Sequence, residues 1–387
     1  MTAIADSNLN SCKLLIAVNT RLLLKDKLEG IGRFTHETLK RITVNHPEHE
    51  FIFLFDRKFD ETFIYSDNIA PVIISPPTRH PLLWYLWFEF SLPKFFKNVK
   101  PDLFLSPDGY LSLKANVISL PVIHDINFEH FPKSLPKIYS WYYRHYFPKY
   151  AMKAQRIATV SEFSKNDISK TYSIPAEKID VVYNGVNDGF KPLDENTIEA
   201  TRKKYSGGAP YFLFTGAIHE RKNIENLLRA FDEFRKNNST NVKLILAGNK
   251  KWWTTSMEET YSAMQNKDDV IFTGRVSDEE LQLLTGSALA LVYVSKFEGF
   301  GIPVLEAMGC HVPVIASDKT SLPEICGDAA LFVEPDSVSA IADAMNLFYK
   351  DESKRKIFIE KGKQRAEIFS WEKTAKLLWE SVEKAVK

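Results

Sequence analysis

At 387 residues the chain is longer than one hydrophobic core ordinarily organises, so two domains are expected; 44% hydrophobic and 26% charged residues exclude a disordered polymer. A net charge of +1 gives no global attraction to nucleic acid, and three cysteines (Cys12, Cys310, Cys326) without pairing or metal-ligand spacing exclude a disulfide framework and fit a reducing cytosol. The first ten residues lack a basic region followed by an apolar core, and no stretch reaches the ~18 apolar residues of a spanning helix, so a cytoplasmic protein without signal peptide is expected.

Residues 13–18 read as a buried strand leading to Gly30-Ile-Gly-Arg33 and a helical pattern at Phe34, Leu39 and Ile42. A strand, a glycine loop and a helix open a doubly wound domain. Gly30 and Gly32 either bring backbone close to a phosphate or form a simple tight turn. Strands follow at 51–55, 72–75, 103–106 and 117–123, the last delivering His124-Asp125 to its carboxyl end. Two stretches, 81–97 and 128–156, interleave aromatics with lysines and arginines. They fit a face that docks on a membrane beside a lipid-linked acceptor, or aromatics packed in the core or lining an acceptor cleft. Residues 157–160 form a strand, and Ser161 caps a helix whose next turn Ser164 opens.

Turn residues from 184 through Pro192, Asp194 and Asn196 mark a hinge. A second series follows, with strands at 211–215, 242–247, 270–273, 288–294, 314–316 and 330–333. Between them come an amphipathic helix at 224–234 and a capped one at 277–284, and helices fill 338–386 with a break at 369–371. The alternation predicts two facing, doubly wound, Rossmann-like α/β domains, 1–190 and 191–371, with a cleft between them.

The run 288–294 feeds Glu298-Gly299-Phe300-Gly301-Ile302-Pro303, and Glu306 follows one turn later. Pro303 suits a first helical turn, and loop amides with a helix N-terminus make a site for phosphate. Glu298 and Glu306, with seven residues between them, bracket that site with hydrogen-bond acceptors. A sugar nucleotide, with phosphate in the middle and hydroxyls at both ends, suits such an arrangement. Arg221-Lys222, between a strand and a helix, adds a bidentate cation and a point charge at the same end of the sheet. Each feature has a plain alternative when taken singly. Glu306 could serve the helix dipole, Glu298 and the Arg-Lys pair could be solvated loop residues, and His124 could be structural.

In order and spacing, several segments together resemble the retaining glycosyltransferases of family four, which have the GT-B fold. They are Gly30-Ile-Gly-Arg-Phe34, Val122-Ile-His-Asp125, Thr159-Val-Ser-Glu-Phe-Ser164, Tyr183-Asn-Gly-Val186, Gly216-Ala-Ile-His-Glu-Arg-Lys-Asn223, Phe272-Thr-Gly-Arg275 and Leu322-Pro-Glu324. Glu298 and Glu306 match the E-x7-E signature. The resemblance implies that Glu306 accepts from the ribose of a nucleotide-sugar donor and that Glu298 orients the transferred sugar. Arg221 and Lys222 then stabilise the departing diphosphate. Gly216, Arg275 and the loop Gly299, Phe300, Gly301 and Ile302 contact the donor, as do Gly30 and Gly32 across the cleft, and His124 stands beside the sugar. Asp125 caps or orients, and His219 has no assigned role. In this fold the terminal helix, 372–387, crosses back to the first domain.

The same resemblance implies transfer with retention by front-face displacement, in which the leaving phosphate helps take the acceptor's proton. No Asp-x-Asp pattern is present, and no metal or cofactor is expected. The first choice is mannose from GDP-mannose, delivered to a glycan or lipid-linked acceptor, with the enzyme cytoplasmic and peripheral on the inner face of the membrane if the aromatic stretches dock there. The alternatives are a UDP-sugar-dependent glucosyl- or hexosyltransferase, a non-catalytic sugar-nucleotide-binding subunit and a phosphorylase of the same fold.

Overall fold

The structure, a computed structural model, describes residues 13–25 and 27–387; the expectations for the first ten residues and for Cys12 lie outside them. Two compact units share the chain. Unit 1 holds the described residues up to Ile123, with His145–Ala158 and Ala375–Lys387, and unit 2 holds His124–Arg144 and Thr159–Thr374. Unit 2 therefore includes 124–144 and 159–190, which the sequence reading assigned to the first domain. Side-chain bonds explain this: Ser161 bonds to the Gly299 carbonyl, Asn187 to Glu306, and Thr374 to the Tyr183 carbonyl.

Unit 1 is built on β1 (Leu15–Asn19), β2 (Glu50–Phe55), β3 (Ile69–Ile73), β4 (Leu103–Ser106) and β5 (Ile118–Pro121), all parallel in the order β3-β2-β1-β4-β5. Ile16, Ala17 and Val18 are fully buried, as a strand covered on both faces requires. β3 starts three residues earlier than the apolar run 72–75 suggests. Pairing with β2, from Phe51 opposite Ile69 to Phe55 opposite Ile73, sets its register, and Pro71 is tolerated because β3 is an edge strand. The first helix, Gly30–Asn45, also begins early, so both glycines lie in its first turn and not in a loop before it.

A short pair, β6 (Ile157–Thr159) and β7 (Ile179–Val181), follows in the chain. Unit 2 then repeats the winding of unit 1. β8 (Tyr211–Thr215), β9 (Lys243–Ala247), β10 (Val270–Gly274), β11 (Ala290–Tyr293), β12 (Val314–Ser317) and β13 (Ala330–Val333) form a parallel sheet ordered β10-β9-β8-β11-β12-β13. In each unit the chain winds outward from its first strand, then returns to continue on the other side. The switch points thus fall between β1 and β4 and between β8 and β11, where open α/β sheets bind ligands beyond their carboxyl ends.

One helix, Glu195–Ser206, starts at the end of the segment read from sequence as hinge and fills a stretch given no element there. Asp194 caps it by accepting from the Thr197 amide, and Gly207 ends it at φ +64°. The aromatic stretches divide. Trp84, Trp87, Phe88, Tyr142, Phe147 and Tyr150 are core, whereas Leu82 (60% exposed), Phe90 (51%) and Trp141 (57%) face outward. Among the described residues no helix is long and apolar enough to cross a membrane.

Candidate active site

The site of unit 2 lies at its switch point. Gly216, just past β8, has φ +129°, and a Cβ on neighbouring Gly248 would stand 1.8 Å from its carbonyl oxygen, so the two glycines allow the strand ends to meet. The chain then makes a 3-10 turn, Glu220–Lys222, capped by His219, whose Nδ1 accepts from the Arg221 amide while Nε2 faces the Ser134 carbonyl at 3.1 Å. Asn223 is left-handed at φ +60° and donates to the carbonyls of Val294 (3.1 Å) and Pro335 (2.6 Å). The Lys296 amide bonds to the Arg221 carbonyl at 2.8 Å. The loops after β8 and β11 are thereby joined.

Their charged side chains meet. Lys222 Nζ donates to the Tyr293 hydroxyl (2.6 Å) and to Glu298 Oε1, and Arg221 Nη1 donates to Glu298 Oε2 (3.3 Å) and to the Phe297 carbonyl (3.0 Å). Lys222 and Glu298 are 7% and 6% exposed, so two cations share one carboxylate in a nearly dry place. Burial pushes the Lys222 ammonium down to about 8, with Glu298 opposing and Arg221 reinforcing the fall. Burial would raise the Glu298 carboxyl, but Lys222 and Arg221 outweigh it and hold the group at about 2. Glu298 is therefore ionised at neutral pH and cannot act as a general acid. Two cations meet directly at this one carboxylate, and Asp125 adds a second negative charge close enough to act on both.

The loop beside the cluster is fixed through its carbonyls. Ser321 Oγ donates to those of Glu298 and Phe300, each at 3.0 Å, and Ser161 and Ser164 donate to that of Gly299 at 2.6 and 3.2 Å. Among the described residues the amides of Gly299, Phe300, Gly301 and Ile302 meet no acceptor. They lead into the helix Ile302–Gly309, with Pro303 in its first turn. A Cβ on Gly299 would stand 2.7 Å from Asp125 Cβ and 2.8 Å from the His124 carbonyl, and Gly301 has φ +101° with Leu322 Cδ2 where its Cβ would be, so both positions need glycine. Phe300 is buried, its ring against Tyr183 and Phe369, and so offers the site only backbone.

The remaining predicted residues separate. His124 and Asp125 lie against Gly299; the His124 carbonyl accepts from Ser164 Oγ (3.1 Å), and Asp125 Oδ1 accepts the Asn127 amide (2.9 Å) as a local cap. Glu306, 7% exposed, accepts from Asn187 Nδ2 at 2.9 Å. Arg275 is exposed past the end of edge strand β10, two strands from β8. Gly30 and Gly32 belong to unit 1. Gly30 (φ +27°) has open space where a Cβ would be, whereas one on Gly32 would stand 2.8 Å from the Leu22 carbonyl. Sequence reasoning missed Tyr293, hidden in an apolar strand, and Asn187, which lies in the segment taken as hinge.

Among the described residues one group of metal-capable side chains converges: His46, Glu48 and His49, in unit 1. His49 Nδ1 accepts the Leu14 amide at 3.1 Å, so its proton sits on Nε2, which faces Glu48 as a donor and not as a ligand.

Residues 28–190 match the family profile described as Glycosyltransferase Family 4, and residues 197–365 that described as Glycosyl transferases group 1. O-antigen chain mannosyltransferase B of Escherichia coli is 29% identical over 360 residues, 90% of this chain and 94% of that one. O-antigen chain mannosyltransferase RfbU of Salmonella typhimurium is 31% identical over 277 residues, 70% of this chain and 73% of that one. The solved structure of HepE from Anabaena in complex with UDP-glucose superposes with a TM-score of 0.73 at 15% identity, covering 96% of this chain and 100% of that one, a likeness of fold. With that fold and those relatives, the chain belongs to the family four glycosyltransferases and is a hexosyltransferase of GT-B architecture.

Proposed function

We propose that the enzyme transfers mannose from GDP-mannose, with retention and without metal, to a glycan or lipid-linked acceptor. The observation that carries this reading is the pair of cations Arg221 and Lys222 converging on Glu298, beside four amides without acceptors. A diphosphate placed there accepts from the two cations and from the loop amides. As the bond between anomeric carbon and phosphate oxygen breaks, its electron pair passes to the phosphate, where Arg221 and Lys222 stabilise it in a low-dielectric setting. The acceptor hydroxyl attacks from the same face, and its proton goes to the departing phosphate oxygen. Glu298, ionised and held by two cations, orients the sugar through its hydroxyls, with His124 beside it. Glu306 accepts from the ribose, and Arg275 and Gly216 complete the donor contacts of unit 2. Gly30 and Gly32 are proposed as further donor contacts.

The mannosyltransferase relatives favour GDP-mannose, and the UDP-glucose bound by HepE motivates the second reading, a UDP-sugar donor. A thermal-shift screen against GDP-, UDP-, dTDP- and ADP-sugars decides, since a ligand of the folded state raises the melting temperature. The largest shift is expected with GDP-mannose, and a larger one with UDP-glucose overturns the donor assignment. Turnover should survive EDTA; loss on chelation with recovery on manganese overturns metal independence. We further place the enzyme at the cytoplasmic face of the membrane. Leu82, Leu86 and Phe90 recur every fourth residue as exposed apolar groups, with exposed Lys94 and Lys97 nearby. Co-sedimentation with anionic vesicles is expected, and its absence removes this placement.

A further inference from the structure

Glu306 and Glu298 have different side-chain donors. Two cations grip Glu298, whereas Glu306 Oε1 accepts from a neutral donor, Asn187 Nδ2. The other end of that amide is also committed, because Asn187 Oδ1 accepts from Trp371 Nε1 at 3.1 Å. An indole N–H can only donate, so it selects the amide oxygen and turns the NH2 toward Glu306. The opposite flip would set the amide oxygen against the carboxylate and the NH2 against the indole N–H. Donor to acceptor, the order runs one way: Trp371, Asn187, Glu306.

The frame around this chain is tight. Trp371 is 2% exposed, and a Cβ on Gly185 would stand 2.3 Å from the Trp371 amide nitrogen. Thr374 Oγ1 donates to the Tyr183 carbonyl at 2.7 Å. On the other side, a Cβ on Gly309, at the end of the Glu306 helix, would stand 2.9 Å from the Phe190 carbonyl. The segment that carries Asn187 is thus clamped between the helix bearing Glu306 and the start of the last helix. Both bonds lie within unit 2.

We propose that Asn187 is a positioning residue for the donor nucleotide: it holds the Glu306 carboxylate in the orientation that accepts from the ribose, and Trp371 fixes the amide that does so. A neutral amide suits the task, because it restricts the carboxylate without neutralising the charge that the ribose hydroxyls use. The inference rests on the reading of Glu306 as the ribose acceptor.

The test is calorimetric binding of GDP and UDP and their 2′,3′-dideoxy analogues to the full chain, in wild type, Glu306→Ala, Asn187→Leu and Trp371→Phe. Wild type should prefer the ribonucleotide by roughly tenfold, as for a hydrogen bond to a charged acceptor. Asn187→Leu and Trp371→Phe should each shrink that preference severalfold while dideoxynucleotide affinity stays the same. In turnover, KM for the donor should rise with little change in kcat. A preserved preference in both variants, with its loss in Glu306→Ala, overturns the positioning role alone. A preserved preference in Glu306→Ala, or no nucleotide binding, overturns the reading of Glu306 and this inference with it. Equal loss of ribo- and dideoxynucleotide affinity in both variants reduces Asn187 to a packing role and also overturns it. Trp371→Phe keeps an aromatic ring in place, so it carries the test if Asn187→Leu does not fold.

Discussion

Arg21 and Arg221 stand at corresponding places, each in the loop beyond the first strand of its sheet, at the point where strand order reverses. Arg21 is buried and pairs with a single anion: its Nε donates to Asp108 Oδ2 at 2.6 Å, while Asp108 Oδ1 takes Asn19 Nδ2 at 2.8 Å. Its guanidinium lies over the Tyr110 ring at 4.2 Å. One charge meets one charge, with neighbours to fill the remaining valences. Arg221, by contrast, shares Glu298 with Lys222, and the adjoining amides have no acceptor among the described residues. The two arginines thus differ in what surrounds them: Arg21 is buried with its carboxylate fully engaged, whereas Arg221 is partly open beside those amides.

The largest expected effect breaks that contrast open. Arg221→Met removes a donor to the leaving diphosphate and should lower kcat/KM by about 10²- to 10³-fold. Its melting temperature should change little, since Arg221 is partly exposed and Glu298 keeps Lys222 as its partner. Arg21→Met should do the reverse, costing about 3–5 kcal/mol of stability because Asp108 is left buried and uncompensated. Parallel thermal melts and transfer assays check both, and equal destabilisation by the two substitutions would dissolve the distinction. Gly299→Ala comes next: its Cβ must displace Asp125 or the His124 carbonyl, and donor affinity should fall more than tenfold by calorimetry, the scale of losing one or two charge-assisted bonds.

The pH dependence is smaller and has a sign of its own. Lys222 is held below its ordinary 10.5, at about 8, chiefly by burial. Below pH 8 it is charged in both folded and unfolded chains. Between about 8 and 10.5 the unfolded chain binds the proton and the folded one does not, so this group adds stability as pH rises through that window. Over the same window the leaving group loses a cation, and kcat/KM, which reports the free enzyme, should decline above about pH 8. Activity and stability should therefore move in opposite directions, which paired pH–rate and melting profiles measure. A flat rate profile to pH 10 would show that the Lys222 charge is not used.

The local geometry around Glu298 was legible in sequence because its signals are local. A buried strand, two obligatory glycines and a proline in the first helical turn fall within a few residues, and strands 211–215 and 330–333 coincide with β8 and β13. What stayed hidden depends on distant partners. Asn187 and Glu306 are 119 residues apart, and Asn187 and Trp371 are 184 apart, so neither bond leaves a local pattern. β3 takes its register from β2, and the helix Glu195–Ser206 has little buried surface to give it an apolar stripe. Asp194 and Gly207, a cap at each end, were the available sign of that helix. Lys222 was visible as a charge, but its partner Tyr293 reads as one more residue of an apolar strand.

The central claim is that the cation pair Arg221 and Lys222 is the seat of the donor's diphosphate. Calorimetric affinities of GDP and GMP, measured side by side for wild type and for Arg221→Met/Lys222→Met, test it directly. Wild type should favour GDP over GMP by on the order of 10²-fold, as two charge-assisted contacts to the second phosphate imply, and the double variant should bind the two nucleotides about equally. A GDP preference that survives loss of both cations would contradict the account.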